Sequence, residues 1–327
     1  MGVIAAACDY VYVMKDGKMI ENGCADDIFY NPQTEYTKKL LSDATAEQLL
    51  VKEKVFAAQE NPLFTVRHLK KRFQNEEGVN DVSFDICEGE VFALAGESGS
   101  GKTTLAKILT GLEQPDSGEV FCRGERVDRK NRKRNKNMHG KVRMIFQDPY
   151  SSLNPCMTIN EMLTETLRAK EKQIKFDQKE RKKDRQRQIE QMLTRVGLSS
   201  LDGKRYPREL SGGQRQKAAI ARALLLEPEL LICDEAVSSL DAATRTQILD
   251  LLLRVVKEKK IACLFISHDM ALIRRISHRT GVLYKGTLAE CAKTRDLCRD
   301  PWHPYTKALL DSVMPPCLLY TSPSPRD

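Results

Sequence analysis

The chain has 327 residues, of which 41% are hydrophobic and 30% charged, and its formal net charge is +8. This composition excludes an intrinsically disordered chain, and the length suits one large or two modest domains. No stretch of about 18 consecutive apolar residues occurs, so no membrane-spanning helix is predicted. The ten cysteines form no CxxC pair, which predicts neither a zinc site nor a disulfide framework.

An internal repeat is the first feature along the chain. Residues 1–43 align without a gap on residues 270–312, at a constant offset of 269. The YTK triplet at 36–38, for example, falls on the YTK triplet at 305–307. Because a coincidence over so many ungapped positions is improbable, we predict that the chain opens with the end of a first unit of the same kind as the later one.

The repeat divides the chain into four parts. We predict a C-terminal remnant of a first unit at 1–43, a linker at 44–62, a complete second unit at 63–316 and a tail at 317–327. The tail is rich in proline and serine and has no hydrophobic periodicity, so we expect it to be disordered and not native to the protein.

Strands alternate with helices through the second unit. Strands are predicted at 64–69, 79–86 and 90–95, with turns at Gly78 and at Glu88-Gly89. Helices are predicted at 102–112, through the charged segment 159–197, at 212–226 and at 243–259, with apolar strands at 230–233 and 262–267. This alternation predicts an α/β fold with a parallel sheet that is covered on both faces.

A glycine-rich loop joins the strand at 90–95 to the helix that follows it. Its sequence, Gly96-Glu97-Ser98-Gly99-Ser100-Gly101-Lys102-Thr103, fits the phosphate-binding pattern GxxxxGK[ST]. Glycines let backbone N–H groups converge on phosphate oxygens, and a helix N-terminus favours an anion. We expect Lys102 to contact the β and γ phosphates of a nucleotide and the Thr103 hydroxyl to bind Mg²⁺.

Two adjacent acids, Asp234 and Glu235, follow the apolar strand at 230–233. Packing rarely explains such a pair, because burying two like charges is costly. Given the phosphate-binding loop, we expect Asp234 to contact Mg²⁺ and Glu235 to act as the general base that polarises the attacking water.

The segment Leu210-Ser211-Gly212-Gly213-Gln214 begins the helix at 212–226. Two glycines at the start of a helix cost about 1 kcal/mol each relative to alanine, which is understandable if the helix end must approach an anion closely. LSGGQ resembles the signature of the ATP-binding cassette (ABC) family. Other elements of that family stand in order around it, namely Phe73, Gln147, Asp241 and His268.

The resemblance implies a P-loop NTPase cassette with a parallel-sheet core, an antiparallel β subdomain and a helical signature subdomain at about 156–226. It implies that ATP and Mg²⁺ bind, that Gln147, Glu235 and His268 are catalytic, and that Thr103, Gln147 and Asp234 hold the metal. The residues that it implies for nucleotide binding are Phe73, Gly96, Glu97, Ser98, Gly99, Ser100, Gly101, Lys102, Thr103, Thr104, Ser211, Gly212, Gly213, Gln214 and Asp241. Ser211 and Gly213 are expected to contact the γ-phosphate held by a partner cassette, because cassettes of this family pair head to tail.

Two further segments, 144–155 and 300–309, resemble the ATPases of oligopeptide, dipeptide and nickel importers, and glutathione importers of this group carry tandem cassettes. The resemblance implies an ATPase on the cytoplasmic face of the membrane, with membrane permeases and, indirectly, an extracytoplasmic solute-binding protein as partners. Ala236 departs from the proline that is usual after the acids, which puts the shape of that turn in doubt. No iron–sulfur cluster is expected, because the cysteine-rich end that many of these importers carry does not follow Pro316.

Two alternatives remain at this point. A cassette that acts on nucleic acid or ribosomes would lack the importer segments, and the basic runs at 129–141 and 170–187 lack the interleaved aromatic residues that stack bases, so no nucleic-acid partner is expected. A catalytically inert fragment is the other alternative, because most of the first unit lies outside the sequence.

Overall fold

A computed structural model describes residues 8–15, 17–46, 62–73, 76–127, 141–171, 178–238 and 240–312. The strands are β1 (Tyr10–Lys15), β2 (Lys18–Cys24), β3 (Phe64–Phe73), β4 (Glu76–Ile86), β5 (Val91–Ala95), β6 (Ser117–Cys122), β7 (Glu125–Arg126), β8 (Val142–Ile145), β9 (Leu230–Asp234), β10 (Ala262–Ile266), β11 (Arg279–Tyr284) and β12 (Thr287–Lys293). The predicted tail at 317–327 and most of the predicted linker lie outside the described residues.

The helices are α1 (Ala25–Tyr30), α2 (Glu35–Ala46), α3 (Lys102–Thr110), α4 (Pro149–Ser152), α5 (Ile159–Glu171), α6 (Gln178–Val196), α7 (Ser200–Gly203), α8 (Gly212–Leu224), α9 (Ala242–Lys259), α10 (Met270–Ile276), α11 (Thr294–Arg299) and α12 (Pro304–Asp311). A short 3₁₀ helix, Pro207–Glu209, precedes α8.

The central sheet has the strand order β12-β11-β5-β10-β9-β8. Its strands pair in parallel, except that β12 pairs antiparallel with β11 at one edge. All residues of β5, β9 and β10 are buried, as continuous apolar strands inside a parallel sheet should be. This topology confirms the predicted α/β fold with a parallel sheet.

Alternate residues of the central strands face two different hydrophobic clusters. Leu231 and Phe265 belong to a cluster that includes apolar residues of α5, α6, α8 and α9. Ile232 and Leu264 belong to a cluster that includes α3 and the smaller sheet. Because side chains alternate across a strand, the two clusters lie on opposite faces of the sheet, and both faces are covered, as predicted.

The smaller sheet is antiparallel, with the order β4-β3-β6-β7. The predicted turn at Gly78 is wrong, because this glycine lies inside β4. A side chain at Gly78 would place its Cβ 2.3 Å from the carbonyl oxygen of Lys71 on β3. The glycine therefore permits β3 and β4 to approach closely. Besides turns, such close backbone contacts are a common reason for a glycine within a strand.

The two copies of the repeat have the same fold. The bounds of β1, β2 and α1 match those of β11, β12 and α11 at the offset of 269, and the strand register slips at equivalent positions. The backbone N–H groups of residues 33 and 34 donate to the carboxylate of Glu21, and those of residues 302 and 303 donate to that of Glu290. In addition, α2 packs against α9.

Candidate nucleotide-binding site

The phosphate-binding loop lies between the carboxyl end of β5 and the start of α3. Gly96 and Gly101 have φ values of 144° and 102°, a region that side chains rarely adopt. A Cβ at Gly96 would lie 2.3 Å from the carbonyl oxygen of Leu283, and one at Gly101 would lie 2.4 Å from that of Gly78. These two glycines are therefore required by close backbone contacts as well as by conformation.

The Lys102 side chain is folded back over its own loop. Its Nζ donates to the carbonyl oxygens of Gly96 and Glu97 at 2.7 and 2.6 Å, and to the Ser100 Oγ at 3.2 Å. Burial lowers the pKa of Lys102, and the nearby charges of Glu235 and Asp234 partly oppose this shift. The ammonium group is thus held inside the loop, where it can reach the phosphates of a nucleotide.

Asp234 ends β9 and is 5% exposed. Burial raises the pKa of this carboxyl group, while a hydrogen bond from the Thr103 side chain lowers it. Mg²⁺ in such sites takes one or two protein oxygens and completes its shell with phosphate oxygens and water. The paired hydroxyl and carboxylate of Thr103 and Asp234 fit that donor set.

Glu235 accepts hydrogen bonds with both of its carboxylate oxygens. The Nε2 of Gln147 donates to Oε2 at 3.0 Å, and the Nδ1 of His268 lies 3.1 Å from Oε1. The backbone of Glu235 has a φ of 46°, an uncommon value for a residue other than glycine. The structure thus brings together the three residues that the resemblance implies for catalysis, at the carboxyl ends of β8, β9 and β10.

Phe73, which the resemblance implies for nucleotide binding, ends β3 and is 46% exposed. Its ring lies beside Gly78, whose carbonyl oxygen lies against Gly101 of the phosphate-binding loop. The ammonium of Lys71 sits 5.5 Å from the ring centroid. The structure therefore places an accessible aromatic face next to the loop.

The signature residues lie at the start of α8. Ser211 and Gln214 form a reciprocal cap, in which each side chain accepts from the other's backbone N–H. Gly213 lies against Thr244 in the first turn of α9, and Asp241 caps that helix by accepting from the Thr244 N–H. Among the described residues, no hydrogen bond or ion pair joins the signature residues to the phosphate-binding loop.

Sequence reasoning missed two contacts between the loop and the region after β10. The Tyr305 hydroxyl accepts a hydrogen bond from the Glu97 N–H, and the Gly286 N–H donates to the Ser100 carbonyl. Glu97 and Tyr305 are 208 positions apart. No sequence motif spans such a separation, so this contact can be recognised only from the folded structure.

Two negative findings apply to the described ranges. None of their helices combines the length and the apolar character that crossing a membrane requires. They also hold no group of three or more His, Cys, Asp or Glu side chains arranged to bind a metal ion.

Two protein-family models match the chain. Residues 79–238 match the model described as ABC transporter, and residues 289–317 match the one described as oligopeptide/dipeptide transporter, C-terminal region. The first match includes the phosphate-binding loop, the signature and the acid pair, and the second includes Tyr305.

Curated relatives include the glutathione import ATP-binding proteins GsiA of Escherichia coli (strain K12) and Shigella dysenteriae. Each is 38% identical to the chain over 346 aligned positions, which cover 96% of this chain and 54% of the relative. The chain therefore spans about half the length of the curated relatives that it matches.

Solved structures with the same fold include a bacterial ABC transporter cassette, MJ0796, determined as a dimer. It is 25% identical, with a TM-score of 0.62 over 71% of this chain and 99% of its own. The cbiO1 cassette of Clostridium perfringens, at 23% identity, has a TM-score of 0.65 over 74% of this chain and 92% of its own, and shows the fold alone. The motifs, the fold and these matches together lead to one conclusion: the chain belongs to the ABC transporter family.

Proposed function

We propose that this chain binds ATP with Mg²⁺ and hydrolyses the ATP, and that this reaction drives the import of a peptide or a related small solute. The observation that carries the proposal is the position of Glu235. It lies one residue after the buried Asp234, and its two carboxylate oxygens are held by Gln147 and His268. This is an arrangement for orienting a base beside a phosphate site.

The residues divide the work as follows. Lys102 would leave its loop carbonyls to contact the β and γ phosphates, and the backbone N–H groups at the start of α3 would donate to phosphate oxygens. Thr103, Asp234 and Gln147 would hold Mg²⁺, and Gln147 would also contact the attacking water. The metal, when bound, neutralises charge on the phosphate oxygens. Glu235 accepts the proton of the attacking water, and His268 fixes the carboxylate that does so.

The signature residues are proposed to contact a nucleotide that is bound to the phosphate-binding loop of a partner cassette. Ser211 caps α8, Gly213 lies in its first turn, and neither is bonded to the phosphate-binding loop within the described part of the chain. Their proposed ligand is a nucleotide held by another cassette. The dimeric structure of the related bacterial cassette supports such a pairing. The partner is a second copy of this chain or a different cassette.

The solute class is inferred from the C-terminal region. Residues 289–317 match a region of oligopeptide and dipeptide transporters, and the matched relatives are named for glutathione import. Peptides, glutathione and nickel are the proposed candidates. The chain would then act at the cytoplasmic face of the membrane with permease subunits, and a solute-binding protein would deliver the solute from the other side.

The repeat supports a second proposal, that residues 1–43 are the corresponding end of another cassette. In the second copy, β11 pairs with β5, the strand that precedes the phosphate-binding loop. In the first copy, β1 pairs with β2. Among the described residues, no strand pairs with the other edge of β1. In a complete first cassette, a strand equivalent to β5 would pair with β1 along that edge.

Reconstitution tests the importer proposal. The purified chain is combined with the permease subunits of a glutathione importer or of a dipeptide importer in lipid nanodiscs, and phosphate release is measured with and without the matching solute-binding protein. We expect Mg²⁺-dependent hydrolysis that one permease pair stimulates. Hydrolysis that neither pair changes, but that RNA or ribosomes stimulate, would contradict the proposal and favour the nucleic-acid alternative.

A further inference from the structure

The backbone of Glu97 is held from two sides. Its N–H donates to the Tyr305 hydroxyl at 3.0 Å, and its carbonyl oxygen accepts from the Lys102 Nζ at 2.6 Å. The carbonyl also accepts from the Ser100 N–H at 3.2 Å. Glu97 is the second residue of the phosphate-binding loop, so these bonds determine how the loop leaves β5.

Tyr305 is itself fixed in place. Its ring centroid lies 4.3 Å from that of Tyr284, and the residue packs against a cluster that contains Ala95, Val282 and Leu309. Ala95 is the last residue of β5 and directly precedes the loop. Because the ring is immobilised from two sides, the hydroxyl is presented to Glu97 at little further cost in side-chain entropy.

ATP binding would break one of the three hydrogen bonds that hold the Glu97 backbone. To reach the phosphates, the Lys102 side chain would turn away from the carbonyl oxygens of Gly96 and Glu97. Its hydrogen bonds to these two carbonyls would then be lost. The bond to Tyr305 does not involve the Lys102 side chain, so the movement of that side chain leaves the bond in place. It then becomes the main restraint from outside the loop on the orientation of the Glu97 peptide.

We propose that Tyr305 is a positioning residue for the nucleotide site, through which the C-terminal region sets the affinity of the phosphate-binding loop for ATP. This inference rests on the proposed ATP binding. Tyr305 acts through Glu97 and does not touch the nucleotide. Residues 289–312 would thus have a role in the ATPase cycle in addition to any role in the importer assembly.

The test compares two conservative variants of the full chain. Tyr305→Phe removes the hydroxyl that accepts from Glu97 and keeps the stacked ring. Tyr284→Phe is the matched control, because it removes a hydroxyl from the other ring of the same stacked pair. The Kd for Mg·ATP is measured by calorimetry, the melting temperature by scanning calorimetry, and amide exchange at Glu97 by NMR in the nucleotide-free protein.

We expect Tyr305→Phe to raise the Kd by up to about fivefold, the full contribution of one net hydrogen bond, because Lys102 also holds the Glu97 backbone in the free protein but not once ATP is bound; amide exchange at Glu97 should also be faster. Tyr284→Phe should leave both values unchanged, and the melting temperatures of both variants should stay close to that of the parent. An unchanged Kd in a folded Tyr305→Phe variant would overturn the inference.

The parent chain separates the possible failures. If the parent chain binds no Mg·ATP, the proposed function is wrong, and the inference about Tyr305 is wrong with it. If it binds Mg·ATP but the Glu97 amide exchanges as fast as in an unstructured peptide, the bond to Tyr305 is absent in solution and the inference alone fails. This second measurement does not depend on whether any variant folds.

Discussion

The Nε2 of Gln147 lies 3.0 Å from the Oε2 of Glu235. Gln147 follows β8 and Glu235 follows β9, so the contact joins two adjacent strand ends of the central sheet. His268, which follows β10, approaches the other oxygen of the same carboxylate. Three consecutive strands thereby orient one carboxylate, and the rate of hydrolysis should depend on each of the two side chains that hold it.

Replacing Gln147 by alanine should slow hydrolysis about tenfold or more, because the base loses one of its two restraints. The Kd for ATP should change by less than about threefold, since no charge is removed from the phosphate site. Phosphate release under ATP saturation measures the first value and calorimetry the second. Gln191→Ala, at an exposed position of α6, is the control; if it slows the reaction equally, the effect is not specific.

Replacing Lys102 by alanine should weaken nucleotide binding itself. The variant loses the ammonium that would contact two phosphates, and this loss outweighs the three loop hydrogen bonds that the ammonium would give up on binding ATP. We expect at least about a 100-fold increase in the Kd for ATP, a loss of roughly 2.7 kcal/mol of binding free energy. Lys107→Ala, an exposed position on the same helix, should bind as the parent does. Unchanged binding by Lys102→Ala would show that this loop does not bind the phosphates of ATP.

Lys102→Ala and Ser211→Arg should complement each other if sites are shared between two copies of the chain. Each variant alone lacks one half of every composite site, so it should be inactive. A mixed dimer contains one intact site, and an equal mixture should recover about a quarter of the parent activity at saturating protein concentration. Each variant mixed with itself is the control. No recovery on mixing, together with a specific activity that is constant across a hundredfold dilution, would contradict the shared-site proposal.

Acid should destabilise the N-terminal copy of the repeat through Glu21. Its pKa is lowered to about 2, first by the Thr34 hydroxyl, then by the Thr37 hydroxyl and by the Gln33 N–H. Because the folded-state pKa lies below the ordinary value of 4.5, the stabilisation is fully present above about pH 4.5 and is lost as the pH falls toward 2. Amide exchange in α2 should therefore accelerate across that window.

The Glu21→Gln variant tests this assignment. It should show fast exchange in α2 already at neutral pH and little further change between pH 4.5 and 2. Glu35→Gln, at the exposed start of the same helix, should follow the parent chain. A Glu21→Gln variant with the parent's pH profile would show that another group controls the acid response.

The elements that could be predicted from the sequence are those fixed by local physical requirements. The apolar runs in the sequence predict the bounds of β5, β9 and β10 to within one or two residues, because strands buried on both faces leave no room for polar side chains. The repeat at 1–43 indicated a second copy of a known unit, and the described part of it has the fold of 279–311.

The relationships that could not be predicted are long-range and specific to geometry. A glycine at position 78 is equally compatible with a turn and with two strands in close contact, and only the position of the Lys71 carbonyl decides between them. The bonds from Gln147 and His268 to Glu235, and the bond from Glu97 to Tyr305, depend on how strand ends and loops meet. Local sequence carries no information about such distances.

A single-turnover comparison of the parent chain with Glu235→Gln tests whether Glu235 is the general base of ATP hydrolysis. Both proteins are held in excess over Mg·ATP, with nucleotide binding and phosphate release followed in the same samples. We expect Glu235→Gln to bind ATP with a Kd close to that of the parent and to release phosphate at least ~100-fold more slowly, because the amide cannot accept the proton of the attacking water. Phosphate release by Glu235→Gln at the parent rate would show that Glu235 is not the base.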